Sequence, residues 1–341
     1  MTYAIMQNPR HSRVYLDASG AMAVSELEFT GRQLAQPIAD IREETIGGLP
    51  YVLFESGDTL AAADIVRLSR LSFAYALFEL QGGLLAPINK DSRYFIHEDI
   101  SAILKYSGKT NELFTRLMLS LALAHNSAPG PVQLLDPMAG KGTTLYEGLM
   151  LGCHVHGVEI DPKPAYEAFV YIKKHIEMAR YKHTSHTEKT GGIDASGKKF
   201  SAIRYQVEMA RSKDEQKAGD SRRFEMIAGD TRHVSWFYKK NTFHAIVADL
   251  PYGVQHNAKK KPQGGGQSRN AMGLLKEAMP GWVKVLKPGG AIALAWNLFL
   301  IDREEMAGLY AEHGLKVCEG LEFAHRLDQA THRDLMVGVK V

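Results

Sequence analysis

The stretch Asp136-Pro137-Met138-Ala139-Gly140-Lys141-Gly142-Thr143-Thr144 decides how the rest of the chain is read. An apolar run at 131–135 precedes it and a helical pattern through Met150 follows, so a buried strand ends in an acid, turns on glycines and enters a helix. Gly140 and Gly142 have no side chains, which lets a ligand approach the backbone closely. The start of the helix offers free N–H groups to an anionic end of that ligand. Taken alone, the stretch fits several loops. A dinucleotide fingerprint needs a third glycine where Leu145 stands, and a phosphate loop needs Ser or Thr directly after Gly-Lys, where Gly142 stands.

Working outward, the strand–turn–helix pattern recurs. Further strands are expected at 154–160, 245–249 and 291–296, with 315–319 and 335–341 as a closing antiparallel pair. Alternation of this kind predicts an α/β fold with a mostly parallel, doubly wound sheet. Ligands of such sheets lie beyond the carboxyl ends of the strands. Acids stand at those ends. Glu159 closes the second strand, where a carboxylate can accept both ribose hydroxyls of an adenosyl group, with Ile160 placed to pack on the adenine and Asp161 suited to cap the next helix. Gly229-Asp230-Thr231 closes the third, where Asp230 can accept from an adenine amino group. A carboxylate-bearing adenosyl ligand fits this series, and S-adenosylmethionine is such a ligand. Its expected contacts are Asp136, Pro137, Met138, Ala139, Gly140, Gly142, Thr143, Glu159, Ile160, Asp230, Thr231 and Asp249.

The fourth strand ends in Asp249-Leu250-Pro251-Tyr252-Gly253. An exocyclic base amine is a poor nucleophile because its lone pair is delocalised into the ring. Hydrogen bonds from it to the Asp249 carboxylate and the Leu250 carbonyl draw the nitrogen toward tetrahedral geometry, while Pro251 stiffens the turn and Tyr252 can stack on the base. These four residues are the catalytic candidates.

Here the chain resembles the THUMP-associated RNA methylases, which include the tRNA guanosine-N2 methyltransferases. The resemblance covers roughly residues 100–341 and includes Lys109-Thr110-Asn111-Glu112-Leu113-Phe114-Thr115-Arg116, similar to the family's element before the first strand. Leu250 replaces the first proline of the commonest motif, as in the Asp-Leu-Pro-Tyr/Phe-Gly version found among guanosine-N2 enzymes. The resemblance implies a class I S-adenosylmethionine-dependent methyltransferase with a Rossmann-like seven-stranded sheet. Thr110 would meet the cofactor's carboxylate, and the target would be guanosine N2 in tRNA. The family usually carries a ferredoxin-like segment and a full THUMP domain before the catalytic domain. The roughly ninety residues here have room for one such unit, and their opening resembles the ferredoxin-like part.

The expected organisation is therefore a small α/β domain at 1–95, a linker and pre-strand element at 96–112, and a methyltransferase domain at 113–341. In the first domain, 14–16 and 49–54 read as strands and 25–34 and 61–80 as helices, with Asp58 or Thr59 capping the second helix and Gly82-Gly83 and Pro87 marking the connection onward. Residues 1–95 hold 8 Lys/Arg and 11 Asp/Glu, net −3, whereas the remainder holds 33 and 27, net +6. A polar insertion at 182–223 holds 10 basic and 6 acidic side chains, and 256–269, including Lys259-Lys260-Lys261, holds 4 basic and no acidic ones. Their place beside the motifs suits phosphate contact. A helical hairpin or functional arm is expected for the insertion, with 190–199 mobile.

Two distant cysteines, Cys153 and Cys318, and no secretory pattern predict a reduced cytoplasmic setting. Cys153, His154 and His156 fall on one buried strand and alternate between its faces, so no metal is expected, and His183 and His186 read as loop residues. Trp236, Trp282 and Trp296 are expected in the core. No apolar run suffices for a membrane span. Two rivals share the motifs: a DNA adenine-N6 or cytosine-N4 methyltransferase, and a non-catalytic RNA-binding protein on the same fold.

Overall fold

The computed structural model describes the chain except residues 9–12, 90–93, 98, 103–110, 125–129, 195–196, 252–265 and 321–322. Its first part runs β1 (Thr2–Gln7), α1 (Arg13–Gly31), β2 (Ile38–Ile46), β3 (Leu49–Ser56), α2 (Ala62–Ser69), β4 (Ala74–Gln81) and β5 (Leu84–Ile88). The strands form an antiparallel sheet in the order β2-β3-β1-β4-β5. Ala23 and Leu27 of α1 and Leu68 of α2 pack on Tyr3, Ile5, Val52 and Phe54 of the sheet.

Several expectations for this part change. Residues 14–16 belong to α1, not to a strand. The helical run expected at 61–80 stops at Ser69 and becomes β4. Phe73 and Leu77, four residues apart, fit both the helical and the strand period, and tertiary packing selects the strand. Neither Asp58 nor Thr59 caps α2; its N-cap is Ala61, and the Asp58 carboxylate instead accepts the N–H of Thr59 at 2.7 Å. Gly82 and Gly83, both at positive φ, make the β4–β5 turn, and Pro87 lies in β5 at the sheet edge, where its missing N–H is tolerated.

The second part continues with α3 (Asp99–Ala102), α4 (Glu112–Ala124), β6 (Gln133–Asp136), α5 (Thr143–Met150), β7 (His154–Glu159), α6 (Pro162–Met178), β8 (Lys182–Ile193), β9 (Lys199–Ala210) and α7 (Lys213–Lys217). It ends with β10 (Arg222–Ala228), α8 (Val234–Phe237), β11 (Phe243–Asp249), α9 (Gly266–Val285), β12 (Leu286–Asn297), α10 (Arg303–Glu312), β13 (Leu315–Val317), β14 (His325–Arg326) and β15 (His332–Lys340). The sheet order is β13-β15-β12-β11-β6-β7-β10-β9-β8, with β14 on β15. The five strands from β12 to β10 are parallel, and β15 joins them antiparallel. Numbered by their order in the chain, the parallel strands lie 5-4-1-2-3, so the order reverses between β6 and β11. That switch point is where a doubly wound sheet opens a crevice.

Apolar side chains fill both faces. Phe114, Leu117 and Leu121 of α4 and Leu145 and Leu149 of α5 cover one, together with Met22 and Phe29 of α1. Leu275, Met279 and Trp282 of α9 and Tyr310 of α10 cover the other. Of the three tryptophans, Trp282 and Trp296 are buried as expected, but Trp236 is 56% exposed.

The insertion is a β-hairpin, not a helical one. Val207 and Met209 of β9 are buried with Phe169 and Ile172 of α6, and β9 pairs with β10, satisfying an edge that would otherwise be open. Residues 190–193, which were expected to be mobile, pair with 199–202. Ile203 stands opposite Ala228, the last residue of β10, so Lys199–Ala202 runs beyond that strand on the carboxyl-end edge.

Candidate cofactor and catalytic site

β6 ends in Asp136, whose carboxylate accepts the N–H of Met138 at 2.9 Å and so sets the turn. Ala139 N–H donates to the Val158 carbonyl and Gly142 N–H to the Ala139 carbonyl, which fold the glycine loop back on β7. Gly140 sits at φ +52° and Gly142 at φ +88°, the left-handed region that glycine adopts without steric cost. A Cβ on Gly140 would meet nothing within 4 Å, so the loop is open on that side. Gly142 is the N-cap of α5 and has no side chain to bond the first-turn N–H groups, which leaves them for an anionic partner.

Glu159, at the end of β7, braces this loop. One carboxylate oxygen accepts from Gly140 N–H and the other from Asp161 N–H, both at 2.9 Å. Asp161 itself caps α6 by accepting from Lys163 N–H. Burial raises the Glu159 carboxyl pKa, against those backbone N–H groups. Burial likewise pushes Asp136 up to about 7, against hydrogen bonds from Met138 and Thr144, and the nearby Glu159 and Asp249 carboxylates push the same way. Three acids thus converge at the switch point, an arrangement that favours a ligand with positive charge.

Asp249 ends β11 in register with Ala295 of β12, and Leu250 N–H donates to the Ala295 carbonyl at 2.8 Å, which fixes the start of the turn. Leu250 is buried and Pro251 exposed. The Asp249 carboxylate lies 3.4 Å from a guanidinium nitrogen of Arg333, which comes from β15. The Arg333 guanidinium also sits over the Phe114 ring, 4.4 Å from its centroid. Sequence reading missed Arg333, and gave Phe114 no role beyond its place in the 109–116 stretch. The available signal was an Arg-Asp pair opening an otherwise apolar closing strand.

The other candidates divide. Pro137 and Ala139 are buried, and Met138 is half-buried in the loop. Thr143 is buried at the start of α5. Ile160 is 70% exposed beside Glu159, free to cover a ligand. Asp230 caps a 3-10 turn and is engaged by Arg232, whose guanidinium meets both carboxylate oxygens. Burial opposes ionisation of Asp230, but Arg232 outweighs it and holds its carboxyl low. Thr231 accepts from the Trp282 indole N–H at 3.0 Å, a structural use. Thr110, Tyr252 and Lys259-Lys260-Lys261 lie outside the described residues. Cys153 and His156 are buried; His156 lies between Gln133 and Glu225. No group of three potential metal ligands occurs among the described residues. No helix among them is long and apolar enough to cross a membrane.

Residues 109–279, half of the chain, match the family model described as UPF0020, RMKL-like, methyltransferase domain. No curated protein matches. Among solved structures, a TehB-like SAM-dependent methyltransferase from Corynebacterium glutamicum is similar at 14% identity, with 63% of this chain and 83% of that one covered and a TM-score of 0.32. An rRNA methylase from Streptococcus thermophilus is similar at 12% identity, with 62% and 87% covered and a TM-score of 0.31. A ribosomal protein L11 methylase from Lactobacillus delbrueckii is similar at 11% identity, with 67% and 80% covered and a TM-score of 0.36. Likenesses this distant select no substrate.

Proposed function

Taking as premise that this chain belongs to the family of RMKL-like methyltransferase domains, we propose that it methylates an exocyclic amine of an RNA base, guanosine N2 in tRNA. The fold is the class I methyltransferase fold, and the cofactor is S-adenosylmethionine, which supplies a methyl group on positively charged sulfur. The residues fit it. The uncapped start of α5 suits its carboxylate, the Glu159 carboxylate suits its ribose hydroxyls, and Ile160 suits its adenine. Asp230 would serve the adenine amino group only by sharing its carboxylate with Arg232. Thr110 joins this set on the resemblance alone.

The observation that carries the reading is the position of Asp249. Its carboxylate stands at the switch point beside Asp136, on a turn pinned to β12, with a buried guanidinium at its back. An amine donating to Asp249 and to the Leu250 carbonyl is fixed in direction, and its lone pair is released from the ring. S-adenosylmethionine, held by the residues above, would supply the methyl carbon to that nitrogen and keep the bonding pair on its sulfur. The nitrogen then carries a surplus proton, for which Asp249 is the first acceptor. Prior removal of that proton is unnecessary, so the carboxylate acts mainly through preorganised electrostatics. Tyr252 is the proposed stacking partner of the base.

Support for RNA comes from charge. Lys182, Lys189, Lys198 and Lys199 are exposed on the hairpin, and Lys259-Lys260-Lys261 follows the catalytic turn in sequence. Phosphate contact by these groups predicts salt-dependent binding, with a slope of about −0.7 per contact on single strands. The division at 95 and 112 belongs to the same reading, with 1–95 as an accessory unit. The test is incubation with unmodified tRNA and labelled S-adenosylmethionine, followed by mass spectrometry of the nucleosides. N2-methylguanosine supports the full proposal. Label confined to DNA, or absent from nucleic acid altogether, refutes it.

A further inference from the structure

Past the end of β12 the chain turns through Leu298-Phe299-Leu300, and the turn is clamped. Asn297, 3% exposed, accepts the N–H of Phe299 at 3.2 Å and of His332 at 3.1 Å, and donates to the Ala330 carbonyl at 3.0 Å. Leu298 N–H donates to the His332 carbonyl at 2.7 Å, and the Trp296 indole N–H to the Ile301 carbonyl at 2.8 Å. Phe299 is nevertheless 57% exposed. Its ring lies 5.9 Å from the His332 ring. One exposed aromatic is ordinary on a protein surface. A fixed one, backed by a second ring at the same sheet edge as Asp249, is not.

The register places the pair. Asn297 stands opposite Arg333, the residue after His332, and Arg333 reaches Asp249. Phe299 follows Ala295, the strand partner of Asp249, by four residues. At about 3.3 Å per residue it lies no more than roughly 13 Å along the chain from that level. This is the flank of the Asp249 turn away from the Glu159 end.

We propose that Phe299, backed by His332, is a stacking platform for a nucleobase neighbouring the one held at Asp249. The inference rests on the base-amine reading above. A base drawn out of its stack leaves unstacked neighbours, and contacts to those neighbours position the strand and set sequence context. Stacking on an aromatic side chain serves any base, because every base has a π-face.

The experiment compares Phe299→Ala, Phe299→Leu and Phe299→Trp with the wild type. Each is assayed for binding of a single-stranded RNA octamer containing 2-aminopurine, for methyl transfer to an unmodified tRNA transcript, and for cofactor affinity by calorimetry. Alanine is expected to weaken octamer binding on the order of tenfold. It should raise KM for the transcript while cofactor affinity and kcat hold. Leucine should behave like alanine, and tryptophan like the wild type with stronger quenching of the probe. If Phe299→Leu binds as well as the wild type, apolar bulk suffices and the platform is overturned. An active wild type with an unaltered Phe299→Ala overturns the platform alone. A wild type that neither binds RNA nor methylates it overturns the base-amine reading and the platform with it.

Discussion

Glu159 and Asp249 each end a parallel strand on the same sheet edge, yet their carboxylates are anchored differently. Both Glu159 oxygens accept backbone N–H groups from residues two positions and nineteen positions away. Asp249 instead faces a guanidinium eighty-four positions away, itself packed on Phe114. The first acid is locked to the loop it braces, so it shapes a site for a ligand that must always sit the same way. The second has a charge partner that balances it without filling the turn, which suits a group that must meet an incoming amine.

The largest effect should come from breaking the second acid. Asp249→Ala is expected to lower methyl transfer by about 10³-fold while cofactor affinity changes little, since it removes an interaction made with the reacting amine. Labelled transfer at saturating cofactor, with calorimetry alongside, checks this; turnover near the wild-type rate refutes the mechanism. Tyr252→Phe should keep most activity if that ring stacks, and Tyr252→Ala should not.

Removing the brace is next. Without Arg333 the Asp249 carboxylate loses the partner that fixes its position, so Arg333→Ala should lower kcat on the order of 100-fold. Arg333→Lys should recover part of it. A merely structural role would lower cofactor affinity and thermal stability in parallel with kcat, and it would not distinguish lysine from alanine.

Glu159→Ala should act on the other side of the comparison. It should weaken cofactor binding by about 10–100-fold, the worth of one charge-assisted hydrogen bond at about 1.5–3 kcal/mol, with kcat at saturating cofactor much less affected. Unchanged affinity with the fold intact removes Glu159 from the site.

The smallest effect concerns pH. In the free protein burial holds Asp136 at about 7, so it is mostly protonated just below neutrality. A positively charged cofactor favours the carboxylate, so binding should release a proton. Affinity should then rise as pH climbs toward about 7, by at most about tenfold per unit, and level off above it. The free fold should change the other way. It holds a proton there that the unfolded chain sheds near 3.8, so this group's effect destabilises the fold as pH climbs through 7. Calorimetry in buffers of different ionisation enthalpy measures the proton, and Asp136→Asn should abolish its release.

The Glu159 side of this comparison was legible in the sequence; the Arg333 side was not. Asp136, Glu159 and Asp249 each close an apolar run, and a run that ends in an acid reads directly as a strand end at a ligand edge. Arg333 carries no such local mark, because its partner is set by the pairing of β15 with β12. The hairpin was hidden for another reason. β8 is polar and mostly exposed, so it lacks the two-residue apolar alternation that announces a strand. In the first part of the chain Phe73 and Leu77 satisfy two periods at once, and only packing against β1 and the helices selects one.

The sheet edge at β15 also dictates an order of assembly. β13 bonds to β15, which in turn bonds to β12, although β13 is the earlier segment in the chain. Residues 315–317 therefore have no sheet neighbour until 332–340 is beside them. Arg333 rides on the strand they wait for. An opening that lifts β15 from β12 would therefore part Arg333 from Asp249 while leaving the pairing of β6 with β7 in place.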